Sequence, residues 1–131
     1  MADRLAELHE GVAAIVLRHE PSEAAVEAPF HGVSARSALQ LAHARGVVLA
    51  ALGASHVPVH EYSPATIKKA VTGNGRADKV QVESMVSRLV PGEGARGRPD
   101  VADAIATALC HLFAAGVVEA LRRTKAAGAR R

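Results

Sequence analysis

The stretch AAVEAPFHGVSARSALQLAHARGVVLAALGASHVPVHEY, residues 24–62, decides the fold. Ala24-Ala25-Val26-Glu27 reads as a short buried strand, closed by Pro29, which has no N–H to continue a ladder. Ser34 or Ser37 is placed to cap a helix that runs to about Ala54 and is rich in small residues. Pro58-Val59-His60-Glu61-Tyr62 reads as a second short strand. Strand, helix and strand in that order predict a βαβ unit, two parallel strands joined by a right-handed crossover. The fold class is therefore α/β. Two parallel strands are few for a sheet type normally covered on both faces. The Glu27 strand is left with an apolar edge that calls for a neighbour. That open edge predicts aggregation or poor folding.

Outward from this unit the chain is helical. Leu5, Leu8, Val12, Ile15 and Val16 recur at helical steps, predicting an amphipathic helix that ends at Pro21-Ser22. Ser63-Pro64 is a strong helix start, and Thr72-Gly73-Asn74-Gly75 a stop. Asp78 caps a following helix with Val82, Met85, Val86 and Leu89 as its expected core face. A Gly- and Pro-rich loop over residues 91–99 precedes a last helix, opened by Asp100, with Val101, Ile105, Ala108 and Leu112 expected on one buried side. Residues 1–115 are expected to form the domain, and residues 116–131 a basic, flexible tail.

A chain of 131 residues has room for one small core. Aromatic residues make up only 2%, so that core must be aliphatic. The single cysteine, Cys110, excludes an internal disulfide and fits a reducing compartment. No stretch reads as membrane-spanning and the opening residues do not read as a signal peptide, so a cytoplasmic location is expected.

Charge is uneven. Residues 1–30 carry a net charge of −4 and residues 31–131 a net of +7. A basic body suggests a polyanion partner, and solubility alone is the competing reading. Lys68, Lys69, Arg76 and Lys79 flank Gly73-Asn74-Gly75, a turn that weakly resembles a phosphate cradle.

Three acids stand out. Glu27 lies at the carboxyl end of its strand, where open α/β sheets place their sites. Asp100 and Asp103 are three apart and share one helix face. Carboxylates grouped this way suit a hard cation such as Mg²⁺, which supports phosphodiester hydrolysis. The same residues also serve as a helix cap, a dipole partner and a strand exit, and spacing leaves both readings open. His111, eight residues after Asp103, returns to a similar helix side and reads first as a satisfied surface imidazole. The seven histidines show no zinc-like spacing, and Cys110 reads as a small core residue.

Several segments, in order, resemble one family. They are Glu27-Ala28-Pro29-Phe30, then Ser37 to Gly46, Glu61-Tyr62-Ser63-Pro64, Ile67 to Lys79, and Asp100-Val101-Ala102-Asp103-Ala104-Ile105-Ala106. The series is similar to the RuvC crossover junction endodeoxyribonucleases, the Holliday junction resolvases of DNA recombination and repair. The resemblance implies a ribonuclease H-like fold, here lacking its first three strands and leaving the βαβ unit with additional helices. It implies a homodimer, a branch-migration helicase partner, and Mg²⁺-dependent cutting of symmetric strands at a four-way DNA junction. Glu27, Asp100 and Asp103 match its catalytic, metal-binding acids. Phe30, Lys68 and Lys79 match its DNA-contacting positions, and Lys69 and Arg76, beside the Gly73-Asn74-Gly75 turn, are expected to join them as DNA-binding residues. The helix from Ser34 to Ala54 matches its dimer helix, and the small residues there suit close packing.

One feature of the family is missing. Its opening Gly-Ile-Asp-Pro-Gly strand, with the first metal-binding aspartate, has no counterpart in this sequence. That strand would pair with the one bearing Glu27. The expectation is a start upstream of Met1, with a decayed copy or a non-catalytic junction binder as alternatives. No or very weak cleavage is expected from the chain as it stands.

Overall fold

The computed structural model describes residues 1–29, 34–92 and 97–128, with side chains in the last helix as far as residue 116 and at 119. The elements in order are α1 (Ala2–His19), β1 (Ala24–Glu27), α2 (Ala35–Ala54), β2 (Val59–Tyr62), α3 (Pro64–Thr72), α4 (Lys79–Leu89) and α5 (Pro99–Gly128). They group into two compact units, Met1–Glu61 and Tyr62–Arg131.

In the first unit, α1 packs on α2. Leu5, Leu8, Val12 and Val16 of α1 are half-buried. Ile15, expected in the same stripe, is 60% exposed. The helix ends as Glu20 turns into the left-handed region, φ 44°, with its N–H bonded to the Val16 carbonyl. Pro21 follows and cannot extend the helix. Between the strands, α2 is capped by Ser34, whose hydroxyl accepts from the Ser37 N–H. β1 and β2 form a two-stranded parallel sheet. The Ala24 N–H donates to the Pro58 carbonyl at 2.8 Å, extending the pairing past the strand end. This is the expected βαβ unit, and Ala51, Leu52 and Val57 are its buried residues.

Helix α2 corrects one expectation. It is 20 residues long, with a mean hydropathy of 1.2 over an 18-residue window, long and apolar enough by composition to cross a membrane. Its inner side is half-buried or buried from Ala44 to Leu52. Its outer side exposes Leu39, Ala42, Gly46, Ala50 and Gly53, spaced three and four apart along one face. Leucine, valine and alanine on both sides of the helix supply the hydropathy.

The second unit is helical. Ser63 caps α3 by accepting from the Thr66 N–H, with Pro64 in the first turn. Asp78 and Gln81 form a reciprocal capping box at the start of α4. Helix α5 packs against both α3 and α4. The core joins Ile67, Val71, Ala77, Val82 and Val86 to Ala102, Ala106 and Cys110, with Tyr62, Met85, Val101, Ile105 and Leu109 around them.

The expected core faces shift here. Leu89 is 45% exposed and Leu112 is 63% exposed, and Ala108 is also exposed. The buried line on α5 is Ala102, Ala106 and Cys110, one position on from the larger apolar residues. Small side chains let α5 approach α3 and α4 closely, while Val101 and Ile105 border the contact. Residues 116–128 continue α5 as helix.

Val86 is fully buried, whereas Val80 on the same helix is 75% exposed. Val86→Ala is therefore expected to cost about 2 kcal/mol through lost burial and a residual cavity. Val80→Ala is expected to stay within about 0.5 kcal/mol of the parent. Urea denaturation of the two variants checks both values.

Candidate functional site

The acids sit where chain chemistry leaves them exposed. Glu27 is the last residue of β1 and is exposed. Beyond it Pro29 stops further pairing. The Glu27 carbonyl instead accepts from Arg45 Nη1 of α2 at 2.6 Å. The same guanidinium places Nη2 2.7 Å from Glu61 Oε2 on β2, and the Arg45 side chain is only 18% exposed. Arg45 and Glu61 lie within the segments Ser37 to Gly46 and Glu61 to Pro64, where the sequence alone gives neither a role. The contacts join residues far apart in the chain, so no local pattern signals them.

Asp100 lies in the first turn of α5 and Asp103 one turn on, both exposed. The Arg98 carbonyl accepts from the Val101 and Ala102 N–H groups, so Asp100 stands inside the helix and not at its cap. Burial of Ala102 and Ala106 turns Asp103 to the flank of the helix, with Thr107 and His111 following at four-residue steps. Thr107 is buried, and its hydroxyl donates to the Asp103 carbonyl at 2.9 Å. Among the described residues, neither aspartate has a salt-bridge partner. Two like charges three apart on a helix repel by a few tenths of a kcal/mol, about 0.2–0.5. A divalent cation would relieve that repulsion, and oxygen ligands are what a hard cation takes. The donor set therefore fits Mg²⁺ or a similar ion. Glu27 belongs to the first unit and the two aspartates to the second.

His111 is half-buried, and its Nδ1 is hydrogen-bonded to the Tyr62 hydroxyl at 2.7 Å. It is a satisfied imidazole, held from within the unit and not loose on the surface. Cys110 is 2% exposed, and burial raises the pKa of its thiol.

The basic residues gather at the turn between α3 and α4. Lys68 and Lys69 lie on α3, Arg76 in the turn, and Lys79 at the first position of α4. Lys68 is half-buried and the other three are exposed. Gly73 adopts φ 80°, a conformation that suits glycine. A Cβ on Gly75 would meet the Ala65 carbonyl oxygen at 3.2 Å. The phosphate-cradle reading of this turn is corrected by its hydrogen bonds. The Gly73 N–H donates to the Lys69 carbonyl and the Ala77 N–H to the Asn74 carbonyl. The Asn74 N–H donates to Thr72 Oγ1, and the Arg76 N–H to Asn74 Oδ1. With these four amides committed internally, the turn presents side-chain cations, not a ring of amides. An open groove beside it is lined by Thr72, Asn74, Gln81, Ser84 and Arg88 among others. Phe30, the remaining expected DNA contact, lies outside the described residues.

Comparison with known proteins gives consistent matches. The protein-family model described as "Crossover junction endodeoxyribonuclease RuvC" matches residues 1–111. A protein of that name from Oleidesulfovibrio alaskensis is 48% identical over 111 residues, covering 85% of this chain and 66% of the relative. One from Sorangium cellulosum is 42% identical over 130 residues, covering 99% of this chain and 72% of the relative. The solved structure of Thermus thermophilus RuvC matches with a TM-score of 0.79 at 34% identity, covering 88% of this chain and 69% of that one. The same protein in complex with Holliday junction substrate matches with a TM-score of 0.80, covering 86% of this chain and 68% of that one. The chain spans about two thirds of the length of the first of these relatives.

The buried thiol supplies a check on the second unit. Native protein is expected to react with a disulfide probe slower than unfolded protein by roughly two orders of magnitude. The thiol of the folded chain ionises above its ordinary value of 9.0, because burial disfavours the thiolate. The unfolded chain therefore loses this proton first. The Cys110 contribution to stability is constant below pH 9.0 and falls as pH rises beyond it. Cys110→Ala is expected to remove that alkaline slope in denaturation midpoints measured across pH.

Proposed function

Because the chain belongs to the RuvC family of crossover junction endodeoxyribonucleases, we propose that it acts on four-way DNA junctions in metal-dependent strand cleavage during recombination and repair. The observation that carries this reading is the exposed Asp100–Asp103 pair on the flank of α5, within the same matched segment as the basic turn. Family membership brings the fold, which is ribonuclease H-like.

In this reading Glu27, Asp100 and Asp103 are the chain's contribution to a Mg²⁺ site. A bound ion would polarise the phosphodiester and lower the pKa of an attacking water. The chain's own residues supply the rest. The three carboxylates offer acceptor oxygens and can orient waters. Lys68, Lys69, Arg76 and Lys79 supply charge for the phosphate backbone, which sets position and affinity without reading sequence. The capping box and the internally bonded turn keep Lys79 and Arg76 on a fixed scaffold. Phe30 follows Glu27 by three residues and is assigned to junction bases on the resemblance alone.

Self-association belongs to α2. Its exposed face of Leu39, Ala42, Gly46, Ala50 and Gly53 would let a second copy approach closely. A cytoplasmic location and a helicase partner complete the reading.

Three measurements test it. In a salt series with a synthetic four-way junction, the Lys68→Gln/Lys79→Gln variant is expected to lower the magnitude of the log–log slope by about 2. An unchanged slope would remove those lysines from the interface. Asp100→Asn/Asp103→Asn is expected to weaken Mn²⁺ binding by about tenfold or more while junction binding in buffer free of divalent ions persists. Equal Mn²⁺ affinity in variant and parent would remove the aspartates from the site. A Cβ at Gly46 meets nothing within 4 Å, so the fold has room for Gly46→Arg. That variant is expected to sediment as a monomer where the parent sediments as a dimer.

A further inference from the structure

We propose that Arg45 is a positioning residue that holds Glu27 in place for metal binding, with Glu61 holding Arg45 in turn. The inference rests on the reading of Glu27 as a metal ligand and goes beyond it, since it assigns residues that never touch the ion.

The geometry is two-pronged. One guanidinium nitrogen donates to the Glu27 carbonyl at 2.6 Å. The other meets the Glu61 carboxylate at 2.7 Å. Arg45 comes from α2, Glu27 is the last residue of β1, and Glu61 lies on β2. One side chain therefore ties all three elements of the βαβ unit together at the strand end. A planar guanidinium has a fixed fork, so the direction of one bond constrains the other. The Arg45 side chain is 18% exposed, so the guanidinium is held by its surroundings while both of its partners face solvent.

The strand end needs such a clamp. Glu27 is followed by Ala28 and Pro29, and proline cannot donate to a ladder. The peptide after Glu27 is thus released from the sheet at the residue whose carboxylate is assigned to the ion. A carbonyl fixed by Arg45 limits rotation of the Glu27 backbone, and with it the direction of the side chain. Residues behind metal ligands typically alter affinity by 10–100-fold when removed.

The test uses the full chain and Mn²⁺, read by electron paramagnetic resonance. Glu27→Gln sets the size of the ligand effect. Arg45→Gln is expected to weaken Mn²⁺ binding by about tenfold or more, with junction affinity and helical circular dichroism kept at parent values. Glu61→Gln keeps an acceptor for Arg45 but not its charge, so a smaller loss is expected. Arg45→Lys retains charge with a single point donor and is expected to fall between parent and Arg45→Gln. Should Arg45→Gln fail to fold, Arg45→Lys and Glu61→Gln carry the same comparison. Parent Mn²⁺ affinity in the folded Arg45 and Glu61 variants, beside a clear loss in Glu27→Gln, overturns the positioning role alone. Parent affinity in Glu27→Gln overturns the ligand assignment and the positioning role with it.

Discussion

The packing of Ala102, Ala106 and Cys110 into the core formed with Ile67, Val71, Val82 and Val86 sets the rotation of α5 about its axis. That rotation decides the surroundings of every chemical group on the helix. Asp103 comes to the flank, where its charge stays hydrated. Thr107 is drawn inward and satisfies its hydroxyl on the Asp103 carbonyl. His111 comes within reach of Tyr62. Small side chains are what this arrangement requires, because larger ones would hold α5 away from α3 and α4.

A comparable constraint acts in the first unit. The small sheet ends at Glu27, and Arg45 takes the carbonyl that the ladder releases. Polar groups at a strand end would otherwise be left to water. In both units, then, a candidate ligand is placed by neighbours that are not themselves ligands. At the turn between α3 and α4 the principle is the same. The Thr72 and Asn74 side chains accept from the Asn74 and Arg76 N–H groups, and the cationic side chains form the surface a polyanion would meet.

Much of this was legible in the sequence because the interactions are local. Ser34, Ser63-Pro64 and Asp78 act within one helical turn, and each stands where capping chemistry puts it. The βαβ unit follows from strand and helix signals separated by few residues. The carboxylate pair and the basic turn were visible as spacing. The rotation of α5 was not. Val101, Ile105, Ala108 and Leu112 are mostly larger than the residues actually buried, so hydropathy favours the wrong face. Close helix approach overrides size, and only the partners α3 and α4 reveal it. Arg45 with Glu27, 18 residues apart, and Tyr62 with His111, 49 apart, are equally beyond any local signal. The committed amides of the turn escaped for a different reason, since a Gly-Asn-Gly string does not show whether its donors face inward or outward.

The metal assignment is tested most directly by paramagnetic broadening. Mn²⁺ is added substoichiometrically to the isotope-labelled full chain bound to an unlabelled four-way junction, and the side-chain carboxyl carbons are followed. The account predicts that Glu27, Asp100 and Asp103 broaden first and together, ahead of Glu7, Glu10 and Glu83. Broadening that spreads evenly over surface carboxylates, or that spares these three, would contradict it.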